Sequence, residues 1–168
     1  MKEKEVKWDL SDIVLIPAEE SNINSRSECN VLISTFGYFN SLPLIASPMD
    51  TVVSGDNYFQ YISNRIIPCL PREIHLKNSY DVKDLYFQSF GLCNIEKQLI
   101  SQDTDINYFY KYPNVLIDIA NGHMSKLIDI IKEIKKMWPN IILMIGNVAN
   151  PETFVNLGLA GADFVRVS

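Results

Sequence analysis

Three cysteines and two histidines are all that this chain of 168 residues offers to thiol or metal chemistry. Cys29, Cys69 and Cys93 are odd in number and lack paired metal-type spacing, which argues against a disulfide framework and against a zinc site. They read as buried or incidental thiols. An excess of positive charge is also missing. Fifteen basic residues against twenty acidic ones leave a net charge of −5, which speaks against a general nucleic-acid or anionic-membrane surface. Backbone amides at helix N-termini can still bind an anion without help from net charge. No apolar run approaches the ~18 residues of a membrane-spanning helix. The opening Met1-Lys2-Glu3-Lys4-Glu5 is charged and has no apolar core of a secretion signal, so the expected compartment is the cytoplasm. Internal repeats, low-complexity tracts and dividing linkers are absent too. With 47% hydrophobic residues, the chain is expected to form one domain over 1–168 around a sizeable core.

What is present is an alternation. Leu42-Pro43-Leu44-Ile45-Ala46, Arg65-Ile66-Ile67-Pro68, Leu85-Tyr86-Phe87, Val115 to Ala120, Ile141 to Val148 and Phe164-Val165-Arg166-Val167 read as six strands. The segments between them are long enough for helices. From Met124 to Trp138, Leu127, Ile128, Ile131, Ile134 and Trp138 fall on one stripe, with Lys126, Glu133, Lys135 and Lys136 largely off it, and Pro139 stops the helix. The next helix opens with Asn150 as N-cap, Pro151 at the first helical position and Glu152 in the first turn, and Gly161 marks its exit. Apolar strands alternating with helices imply a parallel sheet covered by helices on at least one side, hence an α/β fold.

Polar residues at strand ends are the candidates for chemistry. In Val115-Leu116-Ile117-Asp118-Ile119-Ala120 a carboxylate interrupts an apolar strand, and alternation puts Leu116, Asp118 and Ala120 on one face. A buried carboxylate without donors is costly, so Asp118 either accepts hydrogen bonds from the following loop or binds a ligand at the C-terminal rim. The two readings weigh equally. His123 follows the turn dipeptide Asn121-Gly122 and reads as a cap or surface residue more readily than as a catalyst, and His75 has less to recommend it. Gly146-Asn147-Val148 ends the fifth strand, with a glycine that permits close backbone approach and an amide at the rim. Ser47-Pro48-Met49-Asp50-Thr51 follows the first strand, where capping is the simpler role for its hydroxyls and carboxylate. Their common position, at the C-terminal ends of strands, is where a barrel builds its site.

These same segments resemble the IMP dehydrogenase and GMP reductase family of purine-nucleotide oxidoreductases. Asp9 to Pro17 and Asn24 to Cys29 look like its N-terminal segment, here 1–41. Ser47 to Val52, Asp118 to His123 and Gly146 to Ala149 look like its first-, fourth- and fifth-strand loops, and Gly161 to Val167 like the approach to its catalytic loop. The resemblance implies a (β/α)₈ barrel and hydride transfer between a nicotinamide cofactor and C2 of a purine nucleotide, GMP or IMP. It implies that Ser47 and Met49 line the nucleotide side, that Asn147 sits near the reacting centre, and that Asp118, Ala120, Asn121 and Gly122 approach the nicotinamide ribose. Only a short segment joins Pro71 to Leu85, where dehydrogenases commonly carry CBS domains, and Asp118-Ile119-Ala120-Asn121-Gly122 is reductase-like. Ser47 to Ser54 reads more like a dehydrogenase. The balance favours a GMP reductase using NADPH over an IMP dehydrogenase using NAD.

A (β/α)₈ barrel takes about 250 residues and at least ~200, so six strands within 168 residues are expected to form an incomplete barrel over 42–168. The family's Gly-rich loop with its nucleophilic Cys, the potassium site of that loop and the phosphate loops of the last strands would lie beyond Ser168. None of the three cysteines stands in the nucleophile's place, so no catalytic residue is assigned within the chain and no turnover is expected from it alone. Unpaired sheet edges point to a homo-oligomer or to a complementing C-terminal chain. The classes to be separated are an oxidoreductase fragment, a non-catalytic half-barrel subunit that binds a full-length homologue, and an inert remnant.

Overall fold

A computed structural model of the chain describes residues 10–35, 39–76, 85–100 and 108–167. Met1 to Glu5, Asp9 and Ser168 fall outside the described residues. Two compact units emerge, 1–31 and 32–168. In the first, short 3-10 turns occupy Leu10–Asp12 and Arg26–Glu28. The second turn is closed reciprocally: Ser25 Oγ accepts from Ser27 N at 3.3 Å, and Glu28 reaches back to Asn24 N at 3.1 Å.

The larger unit opens with an antiparallel hairpin, β1 (Ile33–Thr35) and β2 (Phe39–Ser41), which the reading of the sequence did not foresee. There follow β3 (Ile45–Ala46), α1 (Tyr58–Ser63), β4 (Ile67–Leu70), β5 (Phe87–Phe90), α2 (Leu92–Ile100), α3 (Tyr108–Lys111), β6 (Asn114–Asp118), α4 (Lys126–Met137), β7 (Ile142–Val148), α5 (Pro151–Ala160) and β8 (Phe164–Val167). Strands β3 to β8 pair in chain order, each parallel to the next, and form a half-barrel with helices between the strands. All six expected strands are present. β4 starts two residues later than its apolar run because Arg65 (φ 61°) and Ile66 are spent closing α1, where Ile66 N bonds back to Tyr61 O at 2.9 Å.

The four central strands, β4 to β7, are buried on both faces. Their outer face, with Leu70, Phe90, Val115, Ile117, Leu143 and Ile145, packs against Ile95 of α2, Leu127, Ile131 and Ile134 of α4, and Leu157 of α5. Full burial of each such side chain contributes ~1.5–3 kcal/mol. The inner face holds a smaller cluster of Ile67, Cys69, Phe87, Leu116 and Met144, against which Ile142 and Phe164 pack. Phe87 of β5 and Phe164 of β8 meet edge to face, with ring centroids 6.3 Å apart.

The two marked helices form as their sequences dictate. Asn150 Oδ1 caps Thr153 N at 3.1 Å, Pro151 opens α5, and Gly161 (φ 119°) ends it in the left-handed conformation that glycine adopts without strain. At the start of β7, Asp163 Oδ2 accepts from Leu143 N at 2.7 Å and from Lys135 Nζ at 2.6 Å, tying α4, β7 and the entrance of β8 together. Among the described residues the outer strands each have one partner, and Ile45 of β3 and Val167 of β8 are exposed. Among the described residues, no helix is long and apolar enough to cross a membrane.

Candidate functional site

Asp118 is the last residue of β6, and it is both partnered and open to solvent. Arg72, two residues beyond β4, brings Nη2 to 3.2 Å from Asp118 Oδ2 and donates to the Asp118 carbonyl as well. Arg166, inside β8, brings Nη1 to 3.3 Å from Asp118 Oδ1. That approach is an ion pair without hydrogen-bond alignment, and the buried Nη1 has no hydrogen-bond partner among the described residues. Arg166 Nε does donate, to Asn147 Oδ1 at 2.7 Å. One carboxylate and two guanidiniums therefore join three strand ends, and Arg166 links Asp118 to Asn147. Because the arginine must donate, Asn147 presents its oxygen to Arg166 and keeps both amide hydrogens for another acceptor.

Space for this convergence comes from glycines on neighbouring strands. Gly146 lies in register with Asp118, and a Cβ there would overlap Arg166 Cβ and stand 2.8 Å from the Arg166 carbonyl oxygen. Gly91, at the end of β5, passes beside the Arg72 guanidinium. Beyond β6 the chain folds under β7: Ile119 N donates to Gly146 O at 2.8 Å, Asn147 N to Ile119 O at 2.7 Å, and Gly122 N to Asn147 O at 2.9 Å. Gly122 is required here, since its Cβ would lie 2.5 Å from both Asn147 O and Val148 Cγ1. Ala120 and Asn121 remain exposed at the rim. Asn121 Oδ1 accepts from His123 N at 3.0 Å, which leaves its amide hydrogens for another acceptor.

A cavity of about 260 Å³ opens between the two ends of the half-barrel, lined by Ile45, Ser47, Pro48, Cys69, Met144, Asn147, Arg166 and Val167. Ser47 and Asn147 thus share one cavity. Exposed Met49 is not on its wall and instead accepts from Val52 N and Val53 N, each at 2.8 Å, to close the loop after β3. Cys69 sits on the inner face, where burial pushes its thiol up to about 12, so it stays protonated and a poor nucleophile. No group of three or more metal-ligating side chains occurs among the described residues.

The reading from sequence picked out Asp118 and Asn147 and overlooked the arginines between them. Arg166 carries the same mark as Asp118, a charge inside an apolar strand. Arg72 carries no local mark, because its contact with Asp118 spans 46 positions.

The chain is similar to known proteins over most of its length. Residues 100–168 match the family described as the IMP dehydrogenase / GMP reductase domain. The GMP reductases of Bacillus subtilis and Clostridium acetobutylicum are each 32% identical to the chain over 168 aligned positions, covering 95% of it and 50% of each relative. That of Lysinibacillus sphaericus is 31% identical over 167 positions, with the same shares covered. The chain spans about half the length of the curated relatives it matches.

Proposed function

Because the chain belongs to the IMP dehydrogenase/GMP reductase family, we propose that it contributes the six-strand part of a GMP reductase site, for NADPH-dependent reductive deamination of GMP to IMP. The observation that carries this reading is the Asp118–Arg166–Asn147 network, which joins a residue assigned in this reading to the cofactor with one assigned to the nucleotide, beside the cavity lined by Ser47.

The residues present fit a nicotinamide nucleotide in part. Asn121 and Asn147 have amide donors to spare, Asp118 has acceptor capacity toward solvent, and Ala120 is exposed between them. Bound NADPH would supply a hydride to C2 of the purine ring, and the amino group would leave as ammonium, with two protons taken up overall. In this reading Asp118, Ala120, Asn121 and Gly122 hold the ribose of the nicotinamide end. Ser47, Met49 and Asn147 orient the purine nucleotide. In this reading Cys69 is not the nucleophile, because burial holds its thiol protonated. The cavity of about 260 Å³ is below the ~300–1,000 Å³ usual for ligand sites. This supports a shared site, finished by further residues of the same polypeptide, by a complementing chain or by a second copy meeting the exposed edges of β3 and β8.

A polypeptide confined to residues 1–168 is accordingly expected to bind NADPH weakly and to turn over nothing. Two measurements test this: loss of NADPH absorbance with GMP, and NADPH affinity of the chain and of Asp118→Ala. Steady oxidation by the unaided chain, or unchanged affinity in the variant, would sink the reading. The loop Ser47 to Ser54 favours a second reading, an IMP dehydrogenase segment using NAD. Tighter binding of IMP and NAD than of GMP and NADPH would select it.

A further inference from the structure

His123 touches neither the cavity nor the Asp118 cluster through any contact the structure records, yet its imidazole joins two of the rim loops. Ala149 N, between β7 and α5, donates to His123 Nε2 at 3.3 Å. His123 Nδ1 lies 2.9 Å from Thr153 Oγ1, in the first turn of α5. An amide N–H can only donate, so Nε2 must be the accepting nitrogen and the ring proton of the neutral imidazole belongs on Nδ1, where it is given to Thr153. Thr153 is itself fixed, its backbone N–H being capped by Asn150. On the other side of the ring, the backbone N–H of His123 holds Asn121 Oδ1.

We propose that His123 is a positioning residue, a neutral Nδ1–H imidazole that clasps the Asn121–His123 loop to the first turn of α5 and thereby fixes where Asn121 and Gly122 stand. Four contacts close the loop onto the β7 side: Gly122 N to Asn147 O, the Cβ-free approach of Gly122, and the two ring bonds of His123. Only the ring bonds depend on a side chain that can be changed without a steric clash. The consequence for function rests on the cofactor reading above, since Asn121 and Gly122 matter to NADPH only if the ribose lies there.

The clasp and the cofactor reading are tested separately on the 168-residue chain. Nitrogen-15 NMR of the His123 ring at alkaline pH is expected to show a protonated Nδ1 and a bare Nε2. Amide exchange at Ala149 is expected to speed up by about tenfold in His123→Ala, the loss of roughly one net hydrogen bond. His123→Gln, which offers both an acceptor and a donor, should recover part of that protection. Thr153→Val should reproduce part of the effect, and the double variant should lose less than the two single losses combined. An Nε2–H tautomer, unchanged exchange at Ala149, or equal effects of Ala and Gln would overturn the clasp. If the clasp holds, NADPH affinity should fall by about tenfold in His123→Ala, as expected when roughly one net hydrogen bond is lost. A clasp confirmed by tautomer and exchange, in a chain whose NADPH affinity ignores His123, would count against the cofactor reading alone.

Discussion

Asp118→Asn keeps the shape of the side chain and removes one unit of charge from between two guanidiniums. The carboxylate oxygens lie 3.3 Å from Arg166 Nη1 and 3.2 Å from Arg72 Nη2. At an effective dielectric of about 20, each pair has a gross attraction of ~5 kcal/mol. Water offsets much of this, because the side chains remain 23% (Asp118), 30% (Arg166) and 44% (Arg72) exposed. Exposed ion pairs contribute ~0–1 kcal/mol, whereas losing one member of a fully buried pair costs ~3–5 kcal/mol. The cluster lies between these limits, so Asp118→Asn is expected to destabilise the chain by ~1–3 kcal/mol. Arg72→Met, at the most exposed member, should cost less than about 1 kcal/mol. Adding Arg166→Met to Asp118→Asn should cost less than the sum of the two, since it removes the cation that the first change leaves unpaired. Urea unfolding reads all of this as shifts of the midpoint at constant slope. A loss below about 0.5 kcal/mol for Asp118→Asn, or strict additivity in the double variant, would refute the coupling deduced from the geometry.

Asp163→Ala should cost ~2–3 kcal/mol, because it strips buried Leu143 N of its acceptor and Lys135 of its counter-ion, whereas Lys135→Met leaves the Leu143 bond intact and should cost under ~1 kcal/mol. Equal losses in denaturant would contradict that ranking. Gly146→Ala should destabilise by at least ~1–3 kcal/mol, since the backbone of β8 has to move, while Gly158→Ala, mid-helix with open space around it, should stabilise by ~0.5–1 kcal/mol. Cys69 should resist alkylation at neutral pH in the native chain while exposed Cys29 and Cys93 react. Its folded thiol holds its proton up to about 12 against 9.0 for the free group, so its contribution is complete below pH 9.0 and is lost as pH rises toward 12. Cys69→Ala should remove that decline from the stability profile, and a profile unchanged by the substitution would show that the thiol ionises freely in the fold.

The six strands were legible because apolar runs bounded by turn residues leave few alternatives, and α5 because Asn150, Pro151 and Gly161 act locally. The hairpin escaped notice because Ile33-Ser34-Thr35 and Phe39-Asn40-Ser41 are only three residues each and not strongly apolar. The start of β4 was misplaced because Ile66 suits a strand as well as it suits the turn that ends α1. In the site, Asp118 and Asn147 could be found from local pattern, being polar residues in apolar strands. Arg72, and Thr153 as the partner of His123, could not, since their contacts span 46 and 30 positions and depend on which strand ends become neighbours. Sequence periodicity reports which face a residue takes, and says nothing of which distant side chain meets it there.

The order of residues along the inner face explains why polar groups gather at the rim. The lower rows of the half-barrel, with Ile67, Phe87, Leu116, Met144 and Phe164, are apolar and closed against each other. At the next row on β6, β7 and β8, Asp118, Gly146 and Arg166 replace them, and the side chains change from an apolar filling to a charged network within one step of the strand alternation. Small residues beside Asp118 are what allow two guanidiniums to reach a single carboxylate. The cluster is then net positive by one charge in a chain whose total is −5. A buried guanidinium nitrogen with no hydrogen-bond partner among the described residues and amide donors on Asn121 and Asn147 point the same way. Such a rim has donors in excess, and a ligand that carries acceptor atoms suits it better than a cationic or purely apolar one.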